Sequence, residues 1–360
     1  MFITNCLLSS AKSGAIKVTK SVPLGSQLNK GPKTFKEKAD EFIQSNVGKK
    51  LKLYLLTGTM ISYPIGALIA NGPLINQTFP LRYNVDYNIG DKLKTLVKEE
   101  YERFLGKENR IQKDANITYS VNKSSDMMDS IGKSSMSVRF GAHIALPFYT
   151  SFNNLEEASK YCKRNFKTMN YLGKTFSIDW DSESGHKLLE AMVLTDNAKR
   201  FVITRDMYAN DGYEAYGNRS LSWATWTAFS SIFTFWVHQR SKLCNGSALS
   251  FAICYPLFLT CAWFSNTQWH DLYRYMQDIH ADHESSHISF DHCAGGKEYY
   301  YKMLQRNRII REFMPSGKEL ISAAGNIRSE RTSFITRYDL LKDVSKEDDE
   351  LKEVVSGDTW

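Results

Sequence analysis

No Cys-x-x-Cys pair, no long basic run, no glycine-rich phosphate loop and no nucleophile elbow occur in the 360 residues. The six cysteines (Cys6, Cys162, Cys244, Cys254, Cys261 and Cys293) are scattered, and Cys254 and Cys261 fall in an apolar run where a thiol acts as a small hydrophobe. A disulfide framework is therefore not expected. The net charge of +7 is mild and forms no aromatic-interleaved patch, which argues against nucleic acid as a partner. With 42% hydrophobic and 24% charged residues the chain is too polar for a polytopic transporter, yet long enough to bury a real core. Acid is missing from the first 36 residues, which hold six lysines and much Ser and Thr before Glu37. Residues 1–48 thus read as a basic segment of mitochondrial transit-peptide character, with Lys in place of the usual Arg.

Charge of either sign is absent from three further stretches. Leu53–Leu81, Ser220–Gln239 and Leu243–His270 contain no Asp, Glu, Lys or Arg over 29, 20 and 28 residues. A hydrocarbon core needs about 20 residues of helix. Pro64, Pro73 and Pro80 interrupt the first stretch, so its span is expected within 49–72; the other two form a membrane hairpin over 219–270. Trp223, Trp226, Trp236 and Trp263 lie towards the span ends, where amphipathic rings favour the interface. If Lys49–Lys52 and the Arg240–Lys242 loop share the positive side, the middle of the chain lies on the other.

Between the spans, residues 73–218 read as a small α+β domain. Residues 91–108 carry Leu93, Leu96, Val97, Tyr101 and Leu105 on one helical stripe. Ser124–Ser135 looks like loop. "MSVRFGAHIAL" (136–146) alternates as a strand, with His143 on its solvent side. A helix over 155–166, a strand in "GKTFSIDW" and two helices in "HKLLEAMV" and "DNAKRFVITRDMYA" follow. Asp179-Trp180 is expected to fix a turn. Residues 271–342 read as helical, broken at Gly295-Gly296, and 343–360 as an acidic solvated tail with seven acids against two lysines. The fold class expected is an α+β membrane protein: mostly helical, with a mixed domain against a hairpin and one earlier span.

The ordered set "GAHIALPF", "GKTFSIDWDSESGHKLLEAMVLTDNAKRFVITRD", the double span, "CAGGKEYYYKMLQRNRIIREFM" and "AAGNIRSERTSFITRYDLL" resembles the transmembrane protein 177 family from about Met136 to Leu341. Asp179-Trp180, Gly295-Gly296-x-Glu298-Tyr299-Tyr300 and Gly325-Asn326 carry the resemblance most specifically. The N-terminal third matches only in its basic start and early span. The resemblance implies a multi-pass protein of the mitochondrial inner membrane without known catalysis or cofactor. It also implies a part in early maturation of cytochrome c oxidase subunit II, through the membrane chaperone that holds the new copper-requiring subunit. Membrane lipid is the other partner implied.

One motif points elsewhere. His283-Glu284-Ser285-Ser286-His287 spells H-E-x-x-H. In a helix its histidines lie one turn apart, as a shared Zn²⁺ needs, and Glu284 would be the general base. Asp291, His292 or Glu298 would have to complete the shell. Against this, the serines at the x positions make a polar, weak helix, no third ligand has a motif position, and the family carries small and basic residues here. The pair is read as polar histidines on a juxtamembrane helix, with a zinc-dependent membrane peptidase as the alternative. "RFVITRDMYAND" is faintly similar to the zinc helix of HtpX-type membrane peptidases, but Arg205-Asp206-x-x-Ala209 stands where the ligands would be.

Overall fold

The structure is a computed structural model, and it describes residues 32–125, 129–240, 246–329 and 332–341. Most of the basic N-terminal segment, Lys242 and the acidic tail lie outside the described residues. Thr34 and Glu37 form a capping box on α1 (Phe35–Gln44), and Ser45 ends that helix and caps α2 (Asn46–Asn71). α3 (Ile75–Arg82), β1 (Val85–Asp86) and α4 (Asp91–Lys107) lead into β2 (Ile117–Asn122), β3 (Ile131–Ser134) and β4 (Ala142–Pro147). α5 (Leu155–Asn165), β5 (Thr168–Tyr171), β6 (Lys174–Ser177), α6 (Glu183–Met192) and α7 (Asp196–Ala209) complete the middle domain. Then come α8 (Gly212–Arg240), α9 (Ala248–Ser286), α10 (Phe290–Phe313) and α11 (Gly317–Leu320).

Helices α2 and α9 are long and apolar enough to cross a membrane. Their apolar side chains face outwards: Leu53, Ile61, Ile65 and Ile69 on α2, and Leu249, Ile253, Leu257 and Phe264 on α9. α8 is less apolar because it carries many Ser and Thr residues, and several of these are turned inwards. Thr227, Ser230 and Thr234 are buried where α8 packs against α2 and α9, while Leu221, Phe229, Ile232 and Phe235 are exposed. Thr227 and Thr234 return their hydroxyls to their own helix, at Trp223 O (2.6 Å) and Ser230 O (2.7 Å). Small hydroxyl residues let apolar helices approach closely, the arrangement expected where lipid replaces water. Trp223 donates to Thr59 O (3.1 Å) and Tyr255 to the Thr59 hydroxyl (2.9 Å), so α2 joins the same bundle. The Lys52 ammonium sits 5.8 Å from the Phe251 ring, which puts the Lys49–Lys52 end of α2 beside the start of α9.

At the other end of the bundle lies the α+β domain. Its four-stranded sheet runs β1-β2-β4-β3, with β2 and β4 parallel and both edges antiparallel; β5 and β6 form a separate hairpin. The expected strand over 136–146 is corrected. Only Ala142–Pro147 is strand, and Met136–Gly141 is a turn held by Ser135 Oγ on Gly212 O (2.6 Å) and Ser137 Oγ on Asp211 (2.9 Å), with Gly141 at φ 73°. The Ser124–Ser135 loop is corrected as well, since it supplies β3. β4 is buried on both faces, so alternation misplaced His143, which packs against Phe79 (5.5 Å between rings) and not against solvent.

Gly295 and Gly296 do not break a helix; they lie inside α10, which Ser289 caps. Added Cβ atoms would meet Asn197 O at 2.2 Å and Phe201 at 2.8 Å, so the glycines allow α10 to close on α7. α7 is consequently buried almost all round. Asp179 and Trp180 do form the expected turn: Asp179 O accepts from Ser182 Oγ (2.6 Å), and the buried indole donates to Phe166 O (2.7 Å). Gly325, at φ 96°, lies where a Cβ would strike Leu304 O at 2.4 Å, and Asn326 Oδ1 accepts from Ile335 N (3.2 Å).

Candidate functional site

Ionic side chains fill the junction between α+β domain and bundle. α7 places Arg205 and Asp206 inside it, both at 5% exposure or less. Arg205 donates to Asp129 (3.1 and 3.3 Å) and to Asp206 Oδ1 (2.9 and 3.1 Å), and its guanidinium lies 5.2 Å from the Tyr299 ring. Tyr299 donates to Asp129 (2.6 Å), and Ser130 to Asp206 (2.8 Å). One guanidinium between two carboxylates divides their behaviour. For Asp129, burial favours the neutral acid, but Arg205 and Tyr299 outweigh it and hold the carboxyl far below the usual range. For Asp206, burial outweighs the pull of Arg205 and pushes the carboxyl up to about 6; its Oδ2 has no partner.

Beside this cluster, Arg337 donates to Asp282 at 2.5 and 2.8 Å, and Tyr300 donates to the same carboxylate at 2.6 Å. Arg306 is buried between Tyr149 and Tyr171, 5.6 and 5.5 Å from their rings, and among the described residues it has no carboxylate partner and its Nη1 no hydrogen bond. On the far side of α7, fully buried Glu100 accepts from Arg200 (2.6 Å), Arg103 (3.1 Å) and His292 (2.9 Å), which ties α4, α7 and α10 together. Burial works to raise the pKa of Glu100, and the bonds from His292 and Arg200 nevertheless keep it low.

A cavity of about 1490 Å³ opens from this polar core to the ends of the long helices. Its walls come from α2 (Ser62, Gly66), α8 (Glu214, Arg219), α9 (His270, Arg274), β3 (Lys133) and α7 (Arg205, Asp206). The chamber has a mixed polar and apolar lining and lies where the apolar helices meet the folded domain.

The zinc motif lies away from this cavity. α9 runs unbroken through it to Ser286, and Ser285 and Ser286 are buried, not on a weak polar face as their composition suggests. The His283 and His287 rings are 4.0 Å apart, and His287 Nδ1 donates to His283 O (2.7 Å), which leaves its Nε2 open, but Glu284 is held by Lys107 (3.2 Å). The other shell candidates are engaged elsewhere. Asn197 donates to Asp291 (3.3 Å), His292 belongs to Glu100, and Glu298 accepts from the Thr195 backbone (3.1 Å) and pairs with Lys302 (2.7 Å). Among the described residues no three His, Cys, Asp or Glu side chains gather as a metal site would need. Of the family-motif residues, Tyr299 enters the ionic core, Glu298 holds the start of α7, and Asp179, Trp180, Gly295, Gly296, Gly325 and Asn326 shape the chain.

Two apolar crossing helices joined to an α+β domain by a buried ionic core define a membrane-anchored protein. The family model described as Transmembrane protein 177 matches residues 43–359, and the chain belongs to that family. It is similar to an uncharacterized protein of Caenorhabditis elegans, 47% identical over 324 residues (89% of this chain, 97% of that one). Transmembrane protein 177 of Danio rerio is 26% identical over 190 residues (52% of this chain, 58% of that one). The Xenopus laevis protein of the same name is 24% identical over 211 residues (56% and 65%). No solved structure matches.

Proposed function

We propose that the protein is a non-catalytic assembly or stabilising factor of the mitochondrial inner membrane. It acts by protein contact on newly made cytochrome c oxidase subunit II and the membrane chaperone that holds it. The observation that carries this reading is family membership across residues 43–359, to which the acid-free basic start adds a mitochondrial address. The chemistry of the core agrees with a binding role. Asp129, Asp282 and Glu100 are each spent on arginines, which leaves them poorly placed as acids or bases. Depletion of the protein should lower newly made subunit II while synthesis of other subunits continues. Unchanged subunit II would overturn the proposal.

The spacing of His283 and His287 supports one competing reading, a zinc-dependent membrane peptidase with Glu284 as base. Metal analysis tests it: one zinc per chain, lost on His283→Ala, would overturn our reading, and loss of peptide hydrolysis in Glu284→Gln with zinc retained would separate a peptidase from a structural metal site.

A further inference from the structure

Each uncharged stretch ends, on the side of the α+β domain, at or near an arginine. Arg82 is the first charge after Leu53–Leu81, Arg219 the last before Ser220–Gln239, and Arg274 lies one turn beyond His270. The fold gathers these three at one cavity and adds Lys133 from the edge strand β3. None of the four lies within 4.0 Å of a carboxylate among the described residues, although Glu214, Asp271 and Asp278 line the same cavity, as do Asp129 and Asp206, which Arg205 engages. Among the described residues only Arg82 of the four has a side-chain hydrogen-bond partner, the Asn71 amide oxygen at 3.3 Å. Of the buried arginines, Arg205 and Arg337 are paired with carboxylates while Arg306 is not; Arg82, Arg219 and Arg274 are exposed to the cavity and its surroundings, and Lys133 is half-buried.

The cations feel one another. Lys133 is held below the usual lysine range, first by burial and then by repulsion from Arg274, Arg219 and Arg82. Next to it, Ser134 is 3% exposed and its hydroxyl has no partner, and Arg306 Nη1 on the same cavity wall is also unsatisfied. An anion at this wall would offset the mutual repulsion and give the buried Ser134 hydroxyl and Arg306 Nη1 an acceptor.

We infer that this cavity binds the phosphate headgroup of a net-anionic membrane lipid, with Lys133, Arg219 and Arg274 as its principal contacts and Arg82 at the rim. The position decides between a lipid and a soluble phosphate. The cations sit at the level where the apolar surfaces of α2 and α9 end, the depth of a lipid phosphate, and those surfaces lead acyl chains to it.

The test uses the full-length protein in a nonionic detergent, followed by thermal melting and native mass spectrometry. The probes are phosphatidylglycerol, phosphatidylcholine of the same acyl chains, and inorganic phosphate. Phosphatidylglycerol should stabilise the protein several degrees more than phosphatidylcholine and remain as a bound adduct. In Lys133→Gln/Arg219→Gln/Arg274→Gln, affinity for it should fall roughly tenfold or more, the effect of losing at least one charge-assisted contact. The lipid-free melting temperature of that variant should equal or exceed that of the unmodified protein, because mutual repulsion has been removed. Lys160→Gln/Lys174→Gln/Lys318→Gln, which removes equal charge elsewhere, should keep the lipid effect. If the triple variant does not fold, Lys133→Gln alone is read the same way and should weaken phosphatidylglycerol binding. Equal stabilisation by the two lipids, or an undiminished effect in the cavity variants, would overturn the proposal. Equal stabilisation by inorganic phosphate that displaces the lipid would overturn it in favour of a soluble anion.

Discussion

Asp282 offers the sharpest test of the ionic core. Its carboxylate, 1% exposed, accepts two hydrogen bonds from Arg337 and one from Tyr300, and so ties the last described helical turns of the chain to the end of α9. Asp282→Ala would strand a guanidinium that is 5% exposed, with Asp278, 3.8 Å away, as its nearest remaining carboxylate. Removing one partner of a buried pair costs about 3–5 kcal/mol. Asp278 relieves part of this, so a loss of about 3 kcal/mol is expected. At roughly 2–4 °C per kcal/mol for a domain of this size class, the melting temperature should fall about 6–12 °C. Arg337→Met in the Asp282→Ala background removes the stranded charge and should recover much of the loss, with a coupling energy above about 1.5 kcal/mol in the full cycle. Thermal melts of the four purified full-length forms give that cycle. A single variant within about 1 kcal/mol of the unmodified protein, or losses that simply add, would refute the idea that this pair holds the two segments together.

Three further outcomes are expected. Gly295→Ala should destabilise the protein by about 2 kcal/mol or more because its Cβ meets a backbone oxygen at 2.2 Å, whereas Gly106→Ala on α4, with open space around it, should stabilise by about 0.5–1 kcal/mol; denaturation of both variants checks the contrast. Asp206 has a folded-state pKa of about 6, above its ordinary 3.8, so its contribution is fully present below about pH 4 and is lost as pH rises through 6. The difference in stability between the unmodified protein and Asp206→Asn should therefore shift by about 3 kcal/mol across that window, and a flat difference would show that burial does not dominate this carboxyl. Protein purified without chelator should carry well under one zinc per chain by elemental analysis.

Much of the architecture was legible in the chain. The three uncharged stretches correspond to α2, α8 and α9, and the Leu93/Leu96 stripe and "DNAKRFVITRDMYA" correspond to α4 and α7. The failures have local causes. Alternation in 136–146 mimicked a strand, but the Ser135 and Ser137 hydroxyls bind the start of α8 instead, and His143 lies in a strand covered on both faces. Paired glycines look like a helix end in sequence, and only the fold reveals that α7 presses on them. Of the ionic core the sequence holds two signals: Glu100 falls on the buried stripe between Leu96 and Phe104, a charge where the pattern calls for an apolar residue. Arg205 likewise lay on the apolar face of α7. Of the cationic cavity the sequence shows only that arginines stand at or near the ends of the uncharged stretches; that Arg82, Lys133, Arg219 and Arg274 share one wall is set by folding.

The placement of the ionic core and the cationic cavity at a membrane surface depends on α2 and α9 lying in lipid. Washing isolated membranes with alkaline carbonate tests this directly: the protein should stay in the pellet with integral proteins, and its release to the supernatant with peripheral proteins would contradict the account.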